Sequence, residues 1–290
     1  MNNRRLQSTV SDTAAVEGVG YWTGRDIRVE FRPAEPNTGI VFIRGDLVGC
    51  PRIAAAVENR IDTPLRTSLR AGDASVEMVE HILASLGGLG VDNCEVWVDQ
   101  AEMPGCDGSS LPFVDAIDSV GTVEQDSPRR RIIVIGYSCD CEGSARIEAR
   151  PNAGRPLELE YHLDYAGTAI GRQHYNLTIT PESFRRELAP SRTFLLREEA
   201  ERLQAQGLGR RASFRDLLVY GEHGPIDNTL RFENECVRHK LLDMVGDLTM
   251  AGAVLSGAFS AWRSGHHLNA RMVRTLLNNQ IMDKEYRRCA

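Results

Sequence analysis

Between Val237 and Leu248 the sequence sets apolar residues at Val237, Leu241, Leu242, Met244, Val245 and Leu248. Wound as a helix, such a stretch is apolar over most of its circumference and belongs inside a protein. The same helix carries His239, Asp243 and Asp247, spaced four apart in one row. An imidazole and two carboxylates taken out of water are stable only against a metal, a cation or one another. Any fold built on this helix must therefore bring a partner to that row. A His-x-x-x-Asp pair can supply two ligands to one zinc ion. Taken alone, it is more often a core histidine beside two solvated acids, so the surrounding sequence has to decide.

The chain has 290 residues, room for two domains of ordinary size. Its net charge of −6 argues against non-specific nucleic-acid binding. The basic residues are nearly all arginine, and Lys240 and Lys284 are the only lysines, so a lysine within the key helix stands out. No stretch reaches the roughly 18 apolar residues of a membrane span. The N-terminus lacks the apolar core of a signal peptide. Seven scattered cysteines, an odd number, suit a reducing cytoplasm and not a disulfide framework, and a monomer is expected. Cys139 and Cys141 read as strand cysteines on one face.

Residues 6–50 read as strands punctuated by turns at Gly18–Gly24 and Pro33–Gly39, with Ile40–Ile43 a buried strand. Ala54–Val57 and Thr67–Leu69 read as short strands or edges. A helix is expected over Val76–Leu86, a strand over Asn93–Asp99 and a helix over Leu111–Val120. Ser127–Arg131, polar and carrying Pro128, reads as a linker. Beyond it come strands at Ile132–Ile135, Ala145–Ala149, Leu157–Leu163 and His174–Ile179, and helices at Glu182–Leu188 and Arg197–Gln206. The long helix Glu233–Met250, a strand at Ala258–Trp262 and a final helix at His267–Leu277 complete the chain. Val79-Glu80-His81-Ile82-Leu83 with Gly88 echoes Val237-Arg238-His239-Lys240-Leu241 with Gly246. Two similar α+β domains, 1–126 and 129–290, would place a site at their interface, a common location for pockets.

His81 follows Glu80 at the start of an apolar helix. A zinc hydrolase needs an imidazole on the metal and a carboxylate to take a proton from water. His81, His239 and Asp243 make two nitrogens and one oxygen, leaving one zinc position open, as in catalytic sites. His266, in a loop between a strand and a helix, could meet Asp247, which would raise its pKa and make it a general acid. The plainer reading of His266 and His267 is two polar residues ahead of a helix. Thr193, after Pro190, could donate to an oxyanion or simply cap the next helix. His162, His174 and His223 show no partner pattern and read as structural.

These residues resemble the UDP-3-O-acyl-N-acetylglucosamine deacetylases of lipid A biosynthesis. The resemblance runs from Gly18-Val19-Gly20 through Val79–Leu86 and Asp107–Phe113. It continues over Ala169–Gln173, Arg192-Thr193-Phe194, Leu230–Glu233, Arg238–Asp243 and Gly265–Asn269. It implies two α+β domains of similar topology, each a sheet layered against helices, with zinc between them. It also implies hydrolysis of the N-acetyl group of an acylated UDP-amino sugar, releasing acetate. By position, His81, His239 and Asp243 would bind zinc and Glu80 would be the base. His266 would be the acid, oriented by Asp247. Thr193 would help bind the oxyanion, and Lys240 would meet substrate phosphate or developing charge. Tyr165 and Phe194 would contact the substrate, and an acyl passage would run near Leu203–Ser213.

Three departures lie outside that set. Trp22 stands where the family usually has a histidine, Gly167-Thr168 replaces His-Pro, and Gly209–Ser213 replaces a glycine-rich run. A zinc amidohydrolase acting on another acylated amino sugar, or a non-catalytic nucleotide-sugar or lipid-binding relative, are the alternatives.

Overall fold

Two five-stranded sheets of the same topology frame the protein. The computed structural model describes residues 5–214 and 216–289. The first sheet runs, in spatial order, Ala14–Val19, Asp26–Arg32, Cys94–Val98, Ile40–Arg44, Arg52–Ala54. The second runs Ser138–Glu142, Ala145–Arg150, Ala258–Trp262, Glu158–Tyr165, Gly171–Thr178. In each, four strands come early in sequence and the fifth inserts centrally. In each, that fifth strand is parallel to the third, while the other neighbours are antiparallel. Alternation along the strands drives this layering. Ile27, Val29 and Phe31 are buried between exposed or half-buried polar neighbours, as are Leu159, Tyr161 and Leu163.

The helices are α1 (Glu80–Leu89), α2 (Leu111–Val120), the short α3 (Pro181–Ser183), α4 (Arg197–Ala205), α5 (Glu235–Thr249) and α6 (His266–Cys289). In both halves a helix with an early histidine precedes the central strand, and another helix follows it. Each half also inserts a three-stranded sheet before its histidine helix. The first is Arg60–Ile61, Ser68–Ala71 and Ala74–Glu77; the second is Phe194–Leu196, Leu218–Gly221 and Gly224–Pro225. This is the expected α+β class with a repeated topology.

Two local readings differ from the structure. The helix expected over Val76–Leu86 begins only at Glu80, because Ala74–Glu77 pairs antiparallel with Ser68–Ala71. Met78, in the left-handed region at φ 61°, turns the chain from strand into helix. Sheet pairing here overrides helical periodicity. The stretch read as a linker is itself paired. Ser127 and Pro128 end the strand Thr122–Pro128 against Leu6–Val10, and Arg131 opens Arg131–Ile133, parallel to Val254–Ser256.

α1 and α5 pack against each other so closely that only glycine fits at the crossing. A Cβ on Gly246 would lie 2.2 Å from the Glu80 carbonyl oxygen, and one on Gly87 would lie 2.0 Å from Thr249 Oγ1. Gly88 makes the corresponding close approach to the Phe184 ring, 2.4 Å from where a Cβ would sit. Backbone cannot retreat as a side-chain end can. Gly246→Ala is therefore expected to destabilise the protein by about 1–3 kcal/mol through overpacking. Denaturant unfolding measures this; an unchanged midpoint would show that the crossing is looser than described.

Candidate active site

The crossing sets the first turn of α1 against the middle of α5. The His81 and His239 rings meet edge-on, with centroids 5.1 Å apart. Asp243 Oδ1 lies 3.3 Å from His239 Nε2 and 3.9 Å from His81 Nε2. All three side chains are buried, and their candidate donor atoms lie within 4.8 Å of one another.

The donor set fits a divalent metal. Burial lowers the His81 pKa to about 3 and also depresses that of His239, so both rings are neutral and can offer a lone pair. His239 Nδ1 is 3.0 Å from the Ser191 carbonyl, to which it donates, leaving Nε2 as the free acceptor. Neither ring nitrogen of His81 has a hydrogen-bond partner among the described residues, and its Nδ1 is fully buried. An imidazole left unsatisfied in a protein interior is costly unless something else engages it. Burial works to raise the Asp243 pKa, but neighbouring basic groups, the Lys240 ammonium among them, outweigh it and keep the carboxylate ionised. Lys240 Nζ donates to Asp243 Oδ2 at 2.8 Å.

Glu80 sits beside this cluster, 3% exposed, with Oε2 accepting from the Thr67 amide at 2.9 Å. Burial pushes its carboxyl up to about 7, against the pull of His266. Asp247, wholly buried, has a full set of donors: Thr67 Oγ1 at 2.7 Å, Asn269 Nδ2 at 2.8 Å and His266 Nδ1 at 2.9 Å. Burial disfavours a charged His266, but the Asp247 carboxylate overrides it and raises the imidazole to about 9.

The segment 191–194 is held against α5 by a buried ion pair. Arg192 Nε and Nη2 meet the Glu235 carboxylate at 2.8 and 3.1 Å, and Glu235 Oε1 also takes the Arg192 amide. This fixes the Ser191 carbonyl on His239 and sets Thr193, whose amide donates to Gly108 at 2.7 Å, at the edge of the site.

A cavity of about 340 Å³ opens over these groups. Glu80, His81, Thr193, His239, Lys240, Asp243 and His266 supply most of its polar lining. Leu195, Leu203, Leu208, Phe214, Leu217 and Val219 supply much of the apolar remainder. The stretch Leu203–Ser213, near which the family resemblance implies an acyl passage, contributes Leu203, Gln204, Leu208, Gly209, Ala212 and Ser213 to the wall. Trp22 lines the same cavity, with the Arg66 guanidinium 4.3 Å over its ring. Tyr165 and Phe194 are not among the lining residues. Their rings pack edge-on at 5.6 Å, and Phe194 is buried with the His239 ring 6.4 Å and Lys240 Nζ 5.7 Å from its ring centroid.

Thr67, Asn269, Ser191 and the Arg192–Glu235 pair were not singled out by sequence reasoning. Asn269, three residues after His266 on the same helix, had a usable spacing signal. Thr67 had none, because its contact with Asp247 spans 180 residues.

The profile of the UDP-3-O-acyl N-acetylglycosamine deacetylase family matches residues 7–278. Proteins named UDP-3-O-acyl-N-acetylglucosamine deacetylase from Brucella ovis, Brucella abortus and Brucella melitensis are each 40% identical to this chain over 276 residues. Those alignments cover 94% of this chain and 96% of each relative. A match over nearly the whole length, on a chain whose two histidine helices cross at a buried donor cluster, shows that it belongs to the UDP-3-O-acyl N-acetylglycosamine deacetylase family.

Proposed function

We propose that this chain is a zinc-dependent deacetylase that hydrolyses the N-acetyl group of UDP-3-O-acyl-N-acetylglucosamine, releasing acetate, in lipid A biosynthesis. The observation that carries the reading is the convergence of His81, His239 and Asp243 with Glu80 and His266 on one cavity whose remaining wall is largely apolar. We take residues 1–126 and 129–290 as its two domains, acting as a monomer in the cytoplasm. Among the described residues no helix is long and apolar enough to cross a membrane.

His81, His239 and Asp243 would hold the ion. When bound, zinc acts as a Lewis acid toward the acetamide carbonyl and lowers the pKa of water. Glu80, raised toward neutrality by burial, takes a proton from the attacking water as the C–O bond forms. Thr193 donates to the oxygen on which negative charge develops. His266, kept protonated by Asp247, gives its proton to the amine as the C–N bond breaks. Thr67 aligns both carboxylates at once, through its amide on Glu80 and its hydroxyl on Asp247. Lys240 balances the Asp243 charge from the cavity side and faces the anionic substrate. The apolar wall from Leu203 to Phe214 receives the acyl chain.

The direct test is acetate release by zinc-loaded protein from the acylated UDP-amino sugar, with the non-acylated sugar as control. Turnover of the first and little of the second is expected. Preference for the non-acylated sugar would point to a different amino-sugar substrate. Glu80→Gln is expected to keep the metal content and to lower kcat by roughly 10²–10⁴-fold, since a base and not a ligand is removed. A wild-type rate in that variant would remove Glu80 from the mechanism. Asp247→Asn takes away the charge that holds the His266 proton. The acid works only while protonated, so its rate falls as pH rises through its pKa. Lowering that pKa moves the alkaline limb of the pH–kcat profile down by roughly 1–3 units. An unmoved limb would mean that His266 is not the acid.

A further inference from the structure

The outer face of the second five-stranded sheet carries a titratable cluster that the deacetylase reading does not use. Glu160 and His162 lie two apart on the strand Glu158–Tyr165, so they share a face. The register sets His174, on the edge strand Gly171–Thr178, directly opposite His162. Sequence reading took both histidines as structural, because this juxtaposition exists only once the register is known. Glu160 Oε1 lies 2.8 Å from His174 Nε2 and 3.3 Å from His162 Nε2. All three donor atoms fall within 4.8 Å of one another. Tetrahedral zinc, with ligands at about 2.0–2.2 Å, needs its donors roughly 3.3 Å apart.

The donors are also held in place. Ser260 Oγ donates to Glu160 Oε2 at 2.8 Å, which leaves Oε1 turned toward the two imidazoles. The His162 ring stacks on Trp262, with centroids 4.8 Å apart and planes within 4°. The Arg146 guanidinium lies 3.9 Å from the same indole centroid. A single hydrogen bond would explain one histidine beside Glu160. It does not explain a second imidazole nitrogen, that of His162 on Glu160's own strand, converging on the same oxygen. His162 and His174 are 35% and 46% exposed, so an ion could reach them from solvent.

We propose that Glu160, His162 and His174 form a second metal site, on the sheet surface, for a borderline divalent ion such as Zn²⁺. Two imidazoles and one carboxylate favour zinc, copper or nickel over calcium or magnesium. The remaining coordination positions face water, so the site suits a readily exchanged ion.

Equilibrium dialysis of the full chain against buffered Zn²⁺, followed by metal counting, tests this directly. The wild type should take up one equivalent more than the His162→Ala, His174→Ala double variant, with matching circular dichroism spectra as the check on folding. This difference does not depend on what binds between α1 and α5. Equal zinc contents at saturation would overturn the proposal. If the double variant does not fold, Glu160→Gln, which keeps size and hydrogen bonding, must weaken the added equivalent by at least about tenfold. An affinity unchanged in that variant would equally overturn it.

Discussion

Everything at the candidate active site depends on how closely α1 and α5 approach. With Gly246 facing the Glu80 carbonyl, the first turn of one helix rests on the backbone of the other. That contact sets His81 against His239 and Asp243, although 158–162 residues separate them in sequence. Gly87 against Thr249 extends the close packing along the crossing. Since backbone is rigid compared with long side chains, the donor cluster gains its geometry from the packing of two helices and not from loops.

Around that crossing the protein repeats one plan twice. Each half lays down four strands, inserts a small three-stranded sheet, adds a histidine helix and then returns to the centre of its main sheet. Each insert brings a threonine to the site just ahead of a strand. Thr67 binds two carboxylates, and Thr193 lines the cavity. Burying so much charge is stable only because partners are provided. Asp247 has three donors and Asp243 has Lys240, while Glu235 neutralises Arg192. The two side chains of the cluster left least satisfied are Glu80, with one amide, and His81, whose ring has no hydrogen bond among the described residues. Those two adjacent residues are the ones for which a water and a metal ion would be natural partners.

What the sequence could disclose follows the range of each interaction. The row His239, Asp243, Asp247 was legible because helical periodicity is local, and the adjacency of Glu80 and His81 needed no fold at all. The alternating strands and the ends of α2 and the Ala258–Trp262 strand were equally local. The start of α1 was misread because strand pairing at Ala74–Glu77 and the left-handed Met78 decide it, and neither is written in periodicity. Thr67 on Asp247, Arg192 on Glu235 and His162 beside His174 required tertiary or register information. Resemblance suggested contacts for Tyr165 and Phe194 by position alone; their rings pack edge-on against each other.

The central claim is that the helix crossing builds a metal site with a free position toward the cavity. Anomalous diffraction at the zinc absorption edge, from crystals of zinc-loaded protein, tests it most directly. The account predicts a strong peak within about 2.0–2.2 Å of His81 Nε2, His239 Nε2 and an Asp243 carboxylate oxygen. A zinc-loaded crystal with no peak among those three atoms would contradict it.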